Sequence, residues 1–253
     1  MQTQFEKTSF LKRLKSMFKV DFKRAFTMPL IYIMAGVSLV MPILMLVMTS
    51  MMGGEDGSAF TSVWQSIGSV SGSGMSMDMT AMCNINLLYF LIAVFVCIFV
   101  AEDFKSGYVK NLFTVRSKKS EYVISKSVVG FTGGVIMILA YFIGAMLGGA
   151  IAGLSFGTEA GAGGIVACMF SKIFLVAVFV SIALILSVVG KQRLWISVLG
   201  SIAAGALLFT MLPMMSPLDA GFLNVIMCLA GGALFGAGLG AISNVILNKT
   251  SLV

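Results

Sequence analysis

The sequence predicts an all-α integral membrane protein of six transmembrane helices, with an N-terminal amphipathic interface helix and both termini cytoplasmic. Three observations carry that prediction. The 253 residues are 58% hydrophobic and only 11% charged, with a mean hydropathy of +1.02, which excludes an ordinary soluble domain. The apolar residues gather into six runs, each long enough to cross a hydrocarbon core of ~30 Å as a helix. All 17 Lys and Arg residues except Lys172 lie before the first run, in alternate gaps, or after the last, and the remaining gaps hold only acids. Positive charge marks the cytoplasmic side, so the acidic gaps face out.

Residues 1–28 form the cytoplasmic leader. On a helix, Phe10, Leu14, Phe18 and Phe22 share one side, while Lys12, Lys15, Lys19 and Lys23 share the other. A basic amphipathic helix of this kind rests on the membrane interface, its ammonium groups toward anionic lipid. Asp21 falls inside the apolar arc and needs a cation to justify its place. That cation is either on a cytoplasmic partner or on Arg24, one turn on. Pro29 then turns the chain into the bilayer. The leader is too long and the first apolar run too wide for a cleavable signal peptide.

Residues 29–253 form the transmembrane domain, with spans expected at about 29–52, 84–101, 127–153, 165–189, 195–215 and 221–247. The external segment 53–83 is rich in Gly, Ser and Met. Its Met75, Met77, Met79 and Met82, beside Cys83, have the thioether chemistry of a Cu(I) site. An amphipathic approach to the membrane explains them better, and no metal site is expected. The four cysteines lie in or beside spans without paired spacing, so neither disulfides nor zinc are expected. The chain has no histidine, which removes Ser–His and Cys–His catalysis, and no GxxxxGK[ST] run to cradle a nucleotide. No catalytic residue, bound cofactor or nucleic-acid partner is expected.

The longest cytoplasmic connection, about 102–126, begins with acids and ends with bases, which suits a helix dipole. Phe104, Tyr108, Leu112 and Val115 fall on one helical side. Such a stripe, held just below the membrane, either rests on lipid headgroups or inserts into a groove on a soluble partner. The order Glu102, Gly107, Leu112 with Phe113, Lys118 with Lys119, and Lys126 resembles the loop after the second span in permeases of ABC-2 type exporters. The resemblance covers nearly the whole chain, including leader, six spans and both ends inside. It departs at Arg116, where such permeases usually carry proline. The resemblance implies that Glu102, Phe104, Gly107, Tyr108, Asn111, Leu112 and Val115 dock a separate ABC ATPase, on which ATP and Mg2+ would reside. It further implies a homodimer in a bacterial cytoplasmic membrane.

Within the spans Lys172 is the one clear charge, and no intramembrane carboxylate is available for ion-coupled transport. Lys172 either snorkels to the outer interface or lines the exit of a pathway near Glu159 or Asp219. Pro213 and Pro217 should break the helix at the outer surface, where the resemblance implies an outer gate. Small residues recur at four-residue spacing at Gly144/Gly148, Gly149/Gly153, Gly232/Gly236/Gly240 and Ser197/Ser201/Gly205. Most of these rows are expected to pack helices within the chain. The resemblance assigns Ser197, Ser201 and Gly205 to the dimer contact. The apolar, Met- and Phe-rich wall suits amphipathic cargo, and the chain most resembles exporters of amphipathic peptides such as phenol-soluble modulins. Export of drugs or lipids, immunity to antibiotic peptides, or a membrane scaffold without transport are the alternatives.

Overall fold

The computed structural model describes residues 10–52, 60–68, 84–114, 119–158, 160–191, 193–209 and 211–249. Among them the chain forms nine α-helices. These are α1 (Phe10–Thr27), α2 (Pro29–Met52), α3 (Leu88–Lys105), α4 (Tyr108–Thr114) and α5 (Lys119–Ala152). They continue as α6 (Ala162–Gly190), α7 (Leu194–Phe209), α8 (Leu212–Met215) and α9 (Phe222–Lys249). Short 3-10 turns occupy Val63–Ser66 and Ile85–Leu87.

Five segments are long and apolar enough to cross a membrane: Pro29–Met51, Ile85–Lys105, Lys119–Ala152, Ala162–Gly190 and Phe222–Lys249. The expected fifth span, 195–215, is divided. Its α7 has 16 residues, about 24 Å at 1.5 Å per residue and short of a ~30 Å core. Pro213 stands in the first turn of α8, where a missing N–H costs nothing, and Pro217 follows in a turn.

α6 lies at the centre, packed on α3, α5, α7 and α9, while α2 packs chiefly on α5. The α2–α5 contact is close because Gly144 and Gly148 carry no side chain. A Cβ on Gly144 would strike the Leu39 carbonyl, and one on Gly148 would lie 2.7 Å from Ile43 Cα. Gly232 likewise admits the Phe174 carbonyl, so Gly144, Gly148 and Gly232 pack helices within the chain, whereas Gly149 admits Val63 of the 3-10 turn and Gly153, at φ 68°, lies past the end of α5. Large apolar residues face outward along the long helices, among them Tyr32, Leu44, Ile143, Phe170, Leu199 and Leu234. That perimeter matches a protein solvated by lipid, where an apolar face needs no cover.

Lys119 Nζ donates to the Leu247 carbonyl at 2.6 Å, bringing the end of α9 to the start of α5. α1 also packs on α5, so this proximal end of the bundle gathers most of the charge. At the distal end the 60–68 segment is stitched to the stretch after α5. Val63 N–H donates to Ser155 O at 3.2 Å and Trp64 Nε1 to Phe156 O at 2.8 Å.

Candidate functional site

The proximal site begins with two helix ends that the sequence pattern misplaces. α3 runs on through Glu102 and Phe104 to Lys105, and only then does Gly107, at φ 72°, break the helix. A left-handed residue after a helix terminus is the ordinary role of glycine. α5 starts at Lys119, well before the expected 127, so Lys126 stands inside a helix. Between these two long helices lie residues 106–118, which include α4, seven residues long.

Glu121, Tyr122, Ser125 and Lys126 share one face of α5 because they recur at the spacing of a helical turn, and all four are buried. Lys126 Nζ lies 2.8 Å from Asp21 Oδ1 of α1 and 2.7 Å from Asp103 Oδ2 of α3. Its ammonium also sits 4.0 Å from the Phe99 ring centroid. Ser125 Oγ donates to the other oxygen of Asp21 at 2.5 Å, and Tyr122 OH donates to Asp103 Oδ2 at 3.0 Å. Arg24 of α1 closes the set: Nη1 is 2.7 Å from Asp103 Oδ1, and the guanidinium carbon is 4.3 Å from the Tyr108 centroid.

Two acids and two bases thus cancel in a place where an unpaired charge would cost several kcal/mol, roughly 3–5 by analogy with other broken buried pairs. A second pair, Arg13–Glu121 at 3.0 Å, ties the start of α1 to the same face. Burial, with Asp21 and Asp103 nearby, pushes the Tyr108 phenol above its ordinary range. Tyr108 therefore remains a neutral ring under Arg24.

Asp21 finds its cation within the chain, on Lys126, whereas Arg24 is taken by Asp103. Met17, Asp21 and Ala25 make the buried stripe of α1; Leu14, Phe18 and Phe22 flank it half-buried, and Phe10 is exposed. The helix thus has an inward side beside its aromatic and basic sides. The expected docking stripe also divides. Phe104 is buried, Tyr108 and Leu112 are half-buried toward the chain, and Val115 lies outside the described residues. Glu102, Lys105, Ser106, Lys110, Asn111 and Thr114 are the exposed residues here. The polar spacing at 121, 122, 125 and 126 was the signal for the missed partners, but nothing local tied it to Asp103.

At the distal end Lys172 neither snorkels nor reaches the surface. It stands ten residues into α6, about 15 Å from its start, and is fully buried. Its Nζ donates to Asn86 Oδ1 at 3.3 Å and Ser216 Oγ at 3.1 Å. Tyr89 OH donates to the Lys172 carbonyl at 2.9 Å. Ser216 and the buried Pro217 follow α8, so the proline-bounded segment is fastened to Lys172. Glu159 and the methionines 75–82 with Cys83 lie outside the described residues.

The row Ser197, Ser201 and Gly205 is turned into the chain. Ser197 Oγ donates to Leu186 O at 3.2 Å, and Ser201 Oγ lies 3.3 Å from Cys97 Sγ. A Cβ on Gly205 would lie 3.0 Å from Phe90 and 3.3 Å from Phe179. Small residues here bring α7 close to α3 and α6 within the chain. Cys97, Cys168 and Cys228 are buried and free. Among the described residues no cluster of His, Cys, Asp and Glu could hold a metal ion.

The model of a family described as ABC-2 family transporter protein matches residues 22–212. The matched stretch includes Arg24, Asp103, Lys126 and Lys172. No curated protein and no solved structure matches the chain.

Proposed function

We propose, on the premise that the chain belongs to the ABC-2 transporter family, that it is the permease subunit of an ATP-driven exporter. In this reading both termini are cytoplasmic in a bacterial cell membrane. The permease works as a homodimer beside two separate ABC ATPase subunits that carry ATP and Mg2+. Its cargo is amphipathic peptide or similar apolar material moved outward. No residue of this chain performs covalent chemistry.

The observation that supports this reading best is the ion network, which joins α4 to three other helices. A partner pressing on α4 moves Tyr108, and with it Arg24 of α1, Asp103 of α3 and Lys126 of α5. Asp21, Asp103 and Lys126 are fully buried and their contacts are short, so the proximal end would respond as a unit. ATP-driven closure of the partners would then shift the helices between inward-closed and outward-open packings.

In this reading the exposed residues of the connection, rather than the whole aromatic stripe, would touch the ATPase. Phe104, Tyr108 and Leu112 brace α4 from within, while Glu102, Lys105, Ser106, Lys110, Asn111 and Thr114 form the open side. A second copy would meet the open faces of α2 and α7, which carry Tyr32, Leu44, Trp195 and Leu207.

Co-expression with a neighbouring ABC ATPase, followed by purification in detergent, tests the proposal. The two chains should co-elute, and Glu102→Arg with Asn111→Trp should weaken co-elution and permease-stimulated ATP hydrolysis roughly tenfold. Failure of the wild-type pair to co-elute overturns the permease reading. Unchanged stimulation by the double variant moves the docking site away from α4.

A further inference from the structure

Among the described residues, Lys172 is a buried cation held by neutral groups. Both acceptors of its Nζ, Asn86 Oδ1 and Ser216 Oγ, carry only partial charge. Ser216 Oγ donates its own proton to Leu212 O at 3.0 Å, so it offers Lys172 a lone pair. Polar atoms nearby are also poorly satisfied. Asn84 Oδ1, in the turn that carries Asn86, is buried without a hydrogen-bond partner. Ser171 Oγ, next to Lys172 in sequence, is buried without a hydrogen-bond partner among the described residues, and the weakly polar Cys228 thiol lies near it. A buried ammonium among such groups is costly, and a full negative charge would satisfy it better.

The lid over the socket packs inward through Leu212, Leu218 and Ala220, while its polar ties to α6 and α9 are weak. Ser216 O accepts from Cys168 Sγ at 3.5 Å and Met215 O from Cys228 Sγ at 3.4 Å, both weak thiol bonds. If the segment around Ser216 lifts away, Lys172 loses one of its two acceptors and faces the space so opened.

We propose that Lys172, with Asn86 and Ser216, forms a carboxylate-binding station for the cargo, covered in this closed arrangement by the segment after α8. This rests on the permease reading and adds a recognised chemical group to it. Lipid headgroups are the poorer occupant, because the socket lies inside the bundle between α6, the Ile85–Leu87 turn and the α8 segment rather than on the lipid-facing perimeter. In this arrangement Ser216 holds the place that the carboxylate takes once the lid opens.

The test uses the permease–ATPase complex in inverted vesicles and two labelled amphipathic peptides that lack Asp and Glu. One has a free C-terminal carboxylate and the other is amidated. The wild-type complex should transport the free acid with roughly tenfold greater kcat/KM, the scale of one charge-assisted hydrogen bond. Lys172→Gln should abolish that preference with co-elution of the ATPase unchanged, and Lys172→Arg should retain part of it. A preference that survives Lys172→Gln, or an equal loss for both peptides, overturns the proposal. If Lys172→Gln does not accumulate, Ser216→Ala decides: removing the competing acceptor should widen the preference, and an unchanged ratio overturns the proposal. A wild-type complex that co-elutes yet shows no preference overturns the carboxylate station alone, whereas loss of co-elution overturns the permease reading beneath it.

Discussion

The two buried lysines among the described residues stand at opposite ends of the bundle and are treated in opposite ways. Lys126 contacts two carboxylates within 2.8 Å and an aromatic face, and the whole group is neutral with Arg24 included. Lys172 rests on an amide oxygen and a hydroxyl, at 3.3 and 3.1 Å. Full pairing makes the first a clamp: four helices meet there, and removal of any charge strands another. Neutral pairing makes the second a holding arrangement, whose acceptors can be exchanged for a stronger one. Both lysines are fully buried. Exposure therefore does not distinguish them; the charge of the partner does.

Substitutions can break that contrast. Lys126→Ala should have the largest effect, because Asp21 and Asp103 would be left facing each other in a low dielectric. A loss of about 3–5 kcal/mol is expected, read as a large fall in thermal midpoint or in accumulation of the permease in detergent. Substitution by methionine at Lys172 should cost only about 1–2 kcal/mol, since the same change also removes the burden of a buried ammonium. Equal destabilisation by the two would erase the distinction.

A double-mutant cycle between Arg24→Ala and Asp103→Ala sharpens the picture at the proximal end. Coupling of about 1–2 kcal/mol is expected for groups in one network, against values near zero for Arg24 paired with a distal residue. The smallest effect belongs to Ser216→Ala, about 0.5–1 kcal/mol, in line with loss of one neutral hydrogen bond. A loss at Ser216 as large as that at Lys126 would mean that the distal end is clamped as well.

Local pattern revealed part of both sites. The amphipathic leader announced that Asp21 needed a cation, and the lone charge in an apolar run singled out Lys172. The choice of partners was hidden. Arg24, three residues from Asp21 in sequence, was the nearer candidate, yet the geometry gives Asp21 to Lys126 and Arg24 to Asp103. The aromatic stripe through Tyr108 is legible in the sequence, but helical periodicity cannot say which side of a helix its own chain will cover. Gly107 adds a further limit: once it breaks the helix, residues before and after it no longer share a face.

Sequence alone determined that this chain is a bundle of long apolar helices with its charge at one set of ends. Transfer of apolar side chains from water to lipid depends on composition and run length, which are written along the chain. Tertiary structure decided where the runs begin and stop, which small-residue rows turn inward, and which acid meets which base. Those outcomes depend on distances between helix ends separated by as many as 128 residues. Ion pairs act over a few ångströms, so only the packed bundle can select them.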